Sequence, residues 1–63
     1  MLTDTEVKTL DLVADGYSNP DIGRLLALSE GTIKSYLRNI TAKLGANGRE
    51  QAVRIAMRQG IIS

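Results

Sequence analysis

Leu28-Ser29-Glu30-Gly31-Thr32-Ile33-Lys34-Ser35-Tyr36-Leu37-Arg38-Asn39-Ile40-Thr41-Ala42-Lys43-Leu44-Gly45 is the stretch on which the fold turns. Ile33, Tyr36, Leu37, Ile40 and Leu44 recur at i, i+3, i+4, i+7 and i+11, the period of a helix with one buried face. Ser29 is placed to cap the start, and Glu30 suits the positive end of the helix dipole. Gly45 is placed to end it. At about 100° per residue from Ile33, Leu37, Ile40 and Leu44 fall within roughly 40° of it. Tyr36 lies roughly 60° to one side. Lys34, Arg38, Gly31, Ala42 and Ser35 spread between roughly 100° and 200°, on the opposite face.

That opposite face has the chemistry of a DNA reader. A recognition helix has to enter a major groove about 12 Å wide with its N-terminal half against base edges. Gly31 and Ala42 let backbone come close. Lys34 and Arg38 can donate to guanine O6 and N7, Arg38 with two bonds. Ser35 can pair with a donor or an acceptor. Thr32 and Asn39 flank the face, where polar side chains meet phosphate oxygens. The free amides that follow Ser29 add an anion site. An ordinary solvated helix face has a similar composition, so the neighbouring elements have to decide.

Outward from this helix the punctuation is regular. Thr3-Asp4-Thr5-Glu6 is a capping box, and Val7, Leu10, Val13 and Ala14 follow at helical spacing, so helix one runs from about Asp4 to Asp15, with Gly16 at its end. Asn19 is the expected cap of helix two, with Pro20 in its first position and Ile22, Leu25 and Leu26 as its apolar stripe. It ends near Ala27. The break before Glu30 is then about three to four residues, the length of a helix-turn-helix joint. Ala46-Asn47-Gly48 is a turn. Helix four spans about Arg49 to Gln59. Gly60 stops it, and Ile61-Ile62 fold back onto the core. The reading is one all-α domain over residues 1–63, a four-helix bundle with helices two and three as a helix-turn-helix.

Composition narrows the function classes. The 63 residues contain no Cys and no His, which removes thiolate chemistry, the commonest metal ligand and the commonest general base. The Ser and Asp residues sit where helix caps belong, so an enzyme is not expected, nor is a cofactor or a metal. No apolar run approaches the about 20 residues of a membrane span, and no signal peptide is visible, so a cytoplasmic protein is expected. The net charge of +1 hides a division: residues 1–21 carry net −4 and residues 22–63 net +5. The basic side can face phosphates while the acidic side faces away.

Leu2-Thr3-x-x-Glu6, Val13-Ala14-x-Gly16-Tyr17-Ser18-Asn19, Asp21-Ile22, Leu28-Ser29, Thr32-Ile33-Lys34-Ser35-Tyr36, Lys43-Leu44-Gly45 and Arg49-x-x-Ala52-Val53 together resemble the LuxR-type (FixJ/NarL-type) DNA-binding domain of bacterial transcription regulators. The resemblance covers residues 2–62. It implies double-stranded DNA as partner, with the third helix in the major groove. It implies DNA contacts at Lys34, Ser35 and Arg38, with Ser29, Gly31, Thr32 and Asn39 beside them. It further implies dimerisation through the fourth helix on paired half-sites, RNA polymerase as a candidate partner, and a parent response regulator, often of a two-component system. This chain lacks the regulatory domain usual in the family, as an excised module or a stand-alone regulator would. Helix four carries apolar residues over an arc of about 200°, twice what one core face needs. Val53, Arg54 and Met57 are the residues expected at that second contact.

Two departures stand out. Gly31 occupies a position where relatives carry a long polar side chain, so one DNA contact is expected to be missing. Gly48 replaces Asn or Asp, so helix four is expected to start weakly. Glu6 and Arg49 are read as structural, Glu6 capping helix one and Arg49 bracing the domain or touching phosphate. The rival functional reading is a protein-interaction module that works through helix four without DNA.

Overall fold

The computed structural model describes all 63 residues, Met1–Ser63. It consists of α1 (Asp4–Ala14), α2 (Asn19–Leu26), α3 (Glu30–Leu44) and α4 (Arg49–Arg58), with no strand. α1 and α3 each pack against all the other helices, whereas α2 and α4 do not pack against each other. No helix is long and apolar enough to cross a membrane.

Hydroxyl caps start the first three helices. Thr3 and Glu6 close the expected capping box on α1. The Thr32 N–H donates to Ser29 Oγ at 3.1 Å to start α3. For α2 the cap is Ser18 rather than Asn19: the Asp21 N–H donates to Ser18 Oγ at 3.3 Å. Asn19 is already helical, which moves Pro20 to the second position. The ring costs nothing there either, because first-turn N–H groups have no intrahelical partner.

All four helices end in the same double hydrogen bond, with a residue just past the helix in the left-handed region. The pairs are Tyr17 N–H to Leu12 O with Gly16 to Val13, Leu28 to Gly23 with Ala27 to Arg24, Ala46 to Thr41 with Gly45 to Ala42, and Ile61 to Ala56 with Gly60 to Met57. This is the Schellman closure. Glycine holds the left-handed position in three of them; after α2 it is Ala27, at φ 59°. A helix end is expected there from the sequence, but nothing local signals that an alanine carries the strained conformation.

The core is Leu10, Ile22, Ile33, Leu37, Ile40, Ala52, Ala56 and Ile62, all buried. Ile33, Leu37 and Ile40 are the stripe of α3, with Tyr36 and Leu44 half-buried at its edges. Val7, Val13 and Ala14 pack at the margin of the core. Ile61 and Ile62 return to it after α4, as expected. Thr9, fully buried, satisfies its hydroxyl on the Thr5 carbonyl at 2.8 Å.

Leu25 departs from expectation. It is 57% exposed, not part of the buried stripe of α2. The reason is Gly23, buried so tightly that a Cβ there would stand 2.6 Å from the Leu28 carbonyl oxygen. This close approach turns α2 so that Ile22, Gly23 and Leu26 face inward. Leu25, on the far side of Ile22 from Gly23, is left outside.

Candidate nucleic-acid interface

The turn Ala27-Leu28-Ser29 fixes the angle at which α3 leaves α2. Two contacts hold it: the glycine seat at Gly23, and the hydroxyl pair Ser29 and Thr32, whose oxygens lie 2.8 Å apart. Thr32 is therefore half-buried and spends its hydroxyl on the start of the helix. Its position on the flank of the helix does not by itself disclose this bond.

Beyond the cap, Gly31, Lys34, Ser35, Arg38 and Asn39 are all exposed, on the side of α3 away from Ile33, Leu37 and Ile40. Arg38 has no ion-pair partner, and Lys34 has a loose one: Nζ lies 3.8 Å from Glu30 Oε2, both side chains at least half exposed. A pair of this kind is screened and contributes little, so both cations are available to an anionic ligand. Around Gly31 a Cβ would meet only Ser29 Oγ at 4.0 Å, so the space is open rather than required. The first turn of α3 thus presents free amides and a near-bare backbone, and the two cations follow on the same side one turn apart, at Lys34 and Arg38.

The C-terminal end of α3 is anchored by a pair that no local pattern announces. Lys43 Nζ donates to Glu6 Oε1 at 2.8 Å, across 37 residues. That same oxygen accepts the Thr3 N–H at 2.8 Å. The Glu6 side chain is 5% exposed and that of Lys43 is 38% exposed. Burial by itself would raise the Glu6 carboxyl. The hydrogen bond from Lys43, the backbone bond from Thr3 and the Lys43 charge outweigh it, so the pKa lies below the ordinary glutamate value. Glu6 does cap α1, as expected, and also ties α1 to α3. Lys43 belongs to this brace, not to the exposed basic side.

On α4, Ala52 and Ala56 are buried, Val53 and Ile55 half-buried, and Met57 is 46% exposed. Arg54 and Arg49 are exposed and make no ion pair. Gly48 supplies no side-chain cap. In its place the Asn47 N–H donates to Gln51 Oε1 at 2.6 Å.

A short, tightly seated turn that holds out the uncovered basic side of a second helix defines a helix-turn-helix domain. Comparison with known proteins names the kind. Over residues 1–56 the chain matches the GerE family, described as bacterial regulatory proteins, luxR family. It is 47% identical over 62 residues to the transcriptional regulatory protein YdfI of Bacillus subtilis, covering 98% of this chain and 29% of that protein. To the transcriptional regulatory protein DegU of Brevibacillus brevis it is 43% identical over 60 residues, covering 95% and 25%. To the response regulator protein VraR of Staphylococcus aureus it is 39% identical over 62 residues, covering 98% and 30%. The solved structure of the transcription factor GerE superposes with a TM-score of 0.96 at 37% identity, covering 98% of this chain and 92% of that one. The chain belongs to the LuxR family of bacterial regulatory proteins, as a helix-turn-helix DNA-binding domain. It spans less than a third of the length of these curated relatives.

Proposed function

We propose that the domain recognises specific sequences in double-stranded DNA by laying α3 in the major groove. Lys34 and Arg38 donate to guanine edges, and Ser35 reads a base beside them. Gly31 brings the backbone close. Asn39 and the free amides at the start of α3, beside the Ser29–Thr32 cap, meet phosphate oxygens. The observation that carries this reading is the uncovered side of α3. It is exposed along Gly31, Lys34, Ser35 and Arg38, and its cations are not committed to strong internal pairs.

In this reading the domain is the output module of a longer response regulator that controls transcription in the cytoplasm. The part of the relatives that the chain does not span supplies the input. Copies pair through Val53, Arg54 and Met57 of α4 so that two α3 helices meet paired half-sites. RNA polymerase is a further partner of the assembled regulator.

The test is a set of affinities for a duplex selected from a random pool by the unmodified domain. Lys34→Ala and Arg38→Ala are each expected to weaken binding by about 1–3 kcal/mol at unchanged melting temperature. Variants that bind as tightly as the parent would refute the role of this side of α3. Retained binding of a protein partner through α4, with no DNA binding at all, would favour an interaction module.

A further inference from the structure

We propose that the α1–α2 side of the domain is a second self-association surface, on which two copies meet about a two-fold axis with their α1 helices antiparallel.

A shallow groove of about 510 Å³ runs between α1 and α2, bordered by Lys8, Asp11, Leu12, Asp15, Tyr17 and Leu25. Tyr17 at 44% and Leu25 at 57% are among the few large apolar side chains left exposed, and Leu12 is half-buried between them. Its residues lie on α1, α2 and the turn between them, whereas Val53, Arg54 and Met57 of the proposed pairing surface lie on α4.

The occupant follows from the order of charges. Lys8, Asp11, Leu12 and Asp15 fall within an arc of roughly 100° on α1. They put a cation at one end, an apolar residue in the middle and anions toward the other end. Antiparallel pairing about the middle of this stripe sets Lys8 of each copy opposite Asp15 of the other and brings Leu12, Tyr17 and Leu25 together. A surface with that order is complementary to itself, which is what an isologous contact requires. The charges are available: the ion pairs of the chain are Asp21–Arg24, Glu30–Lys34 and Glu6–Lys43, so Lys8, Asp11 and Asp15 have none. The acids are also poorly placed for α1 itself. Asp11 is in its last turn and Asp15 is its C-terminal cap, with no base in that turn. The helix dipole disfavours anions at that end, so fold stability does not account for them.

The contact is weak. A stable dimer takes roughly 800 Å² from each partner. That is about a fifth of the whole 3952 Å² surface of this chain, more than the edges of two short helices supply. Asp11 leaves each copy with one uncompensated negative charge in the patch. Such a contact fills when something else holds two copies side by side at high effective concentration. Given the DNA reading above, adjacent sites on a duplex do so. One two-fold contact closes a dimer; two different ones, through α4 and through α1–α2, build an open row.

The test uses the free domain and no DNA, so its failure and the failure of the groove reading are separable. Amide shifts are followed as protein concentration rises to the millimolar range. Concentration-dependent shifts are expected at Lys8, Asp11, Leu12, Asp15, Tyr17 and Leu25, and their loss in Leu25→Ser. Asp15→Lys sets like charges opposite each other and abolishes them; adding Lys8→Asp restores them. Self-association confined to α4, or a double reversal that does not recover the shifts lost in the single one, would overturn the proposal.

Discussion

α3 and α4 both follow short turns, yet they are held very differently. α3 is fixed at both ends. Its start is seated on Gly23 and locked by Ser29 and Thr32; its end is tied to α1 by Lys43 and Glu6. α4 begins at an uncapped glycine, held by one backbone bond to Gln51, and is placed mainly by Ala52, Ala56 and the returning Ile62. The helix proposed to match a groove is the one that the fold anchors at both ends. The helix proposed to pair copies has a looser start. The side-chain anchors of this domain are concentrated on the helix for which a small change of angle would cost the most groove contacts.

The seating of α3 depends most on Gly23. A methyl there meets the Leu28 carbonyl at 2.6 Å, against backbone that has little room to yield. Gly23→Ala is expected to destabilise the domain by about 1–3 kcal/mol, despite the better helix propensity of alanine. Chemical denaturation measures this, and amide shifts spreading into α3 would show its direction changing. An unchanged stability would mean that the joint is softer than it looks.

The other end of α3 comes next. Lys43→Met leaves Glu6 nearly buried with only the Thr3 N–H, an expected loss of about 1–2 kcal/mol at neutral pH, discounted because Lys43 is partly exposed. The sign of the pH dependence follows from the lowered Glu6 pKa. The contribution is complete above the unfolded value and is lost as pH falls through the lower folded one. The unmodified domain and Lys43→Met should therefore converge in stability in acid. Parallel curves down to the lowest pH would mean that the pair does not hold α3 to α1.

The smallest effects are expected at the two turns that lead into α3 and α4. Ala27→Gly relieves a left-handed alanine, at some cost in chain entropy, and is expected to add about 0.5–1 kcal/mol. Gly48→Ser supplies the missing cap of α4 and is expected to add a few tenths, about 0.3 kcal/mol. Thermal melts would register the first as a clear rise and the second as a slight one. A larger gain at Gly48 than at Ala27 would reverse the ranking of the turns that lead into α3 and α4.

Much of this was legible in the sequence because helix starts and stops are local signals. Thr3 with Glu6, Ser29, Gly16, Gly45 and Gly60 each announce an end within a few residues of themselves. The α3 stripe was legible because Ile33, Leu37 and Ile40 repeat over about two turns. What stayed hidden depends on residues far apart or on choices between near-equals. Ser18 and Asn19 are both good caps, and only the folded chain selects Ser18. Leu25 reads as core until the Gly23–Leu28 contact turns α2. Nothing in the sequence pairs Lys43 with Glu6, which helix packing alone brings together. The exposed set Gly31, Lys34, Ser35, Arg38 and Ala42 was legible by angle, because a straight helix that buries one stripe must expose the opposite one.

Placement of α3 in a DNA groove is tested by titrating the labelled domain with a short mixed-sequence duplex and following amide shifts at low and then higher salt. Shifts concentrated in Ser29–Asn39 that weaken steeply with salt are predicted, since phosphate contacts release counterions on binding. Shifts centred on Arg49–Ile62, or none in α3, would contradict it and leave Lys34 and Arg38 as an ordinary solvated face.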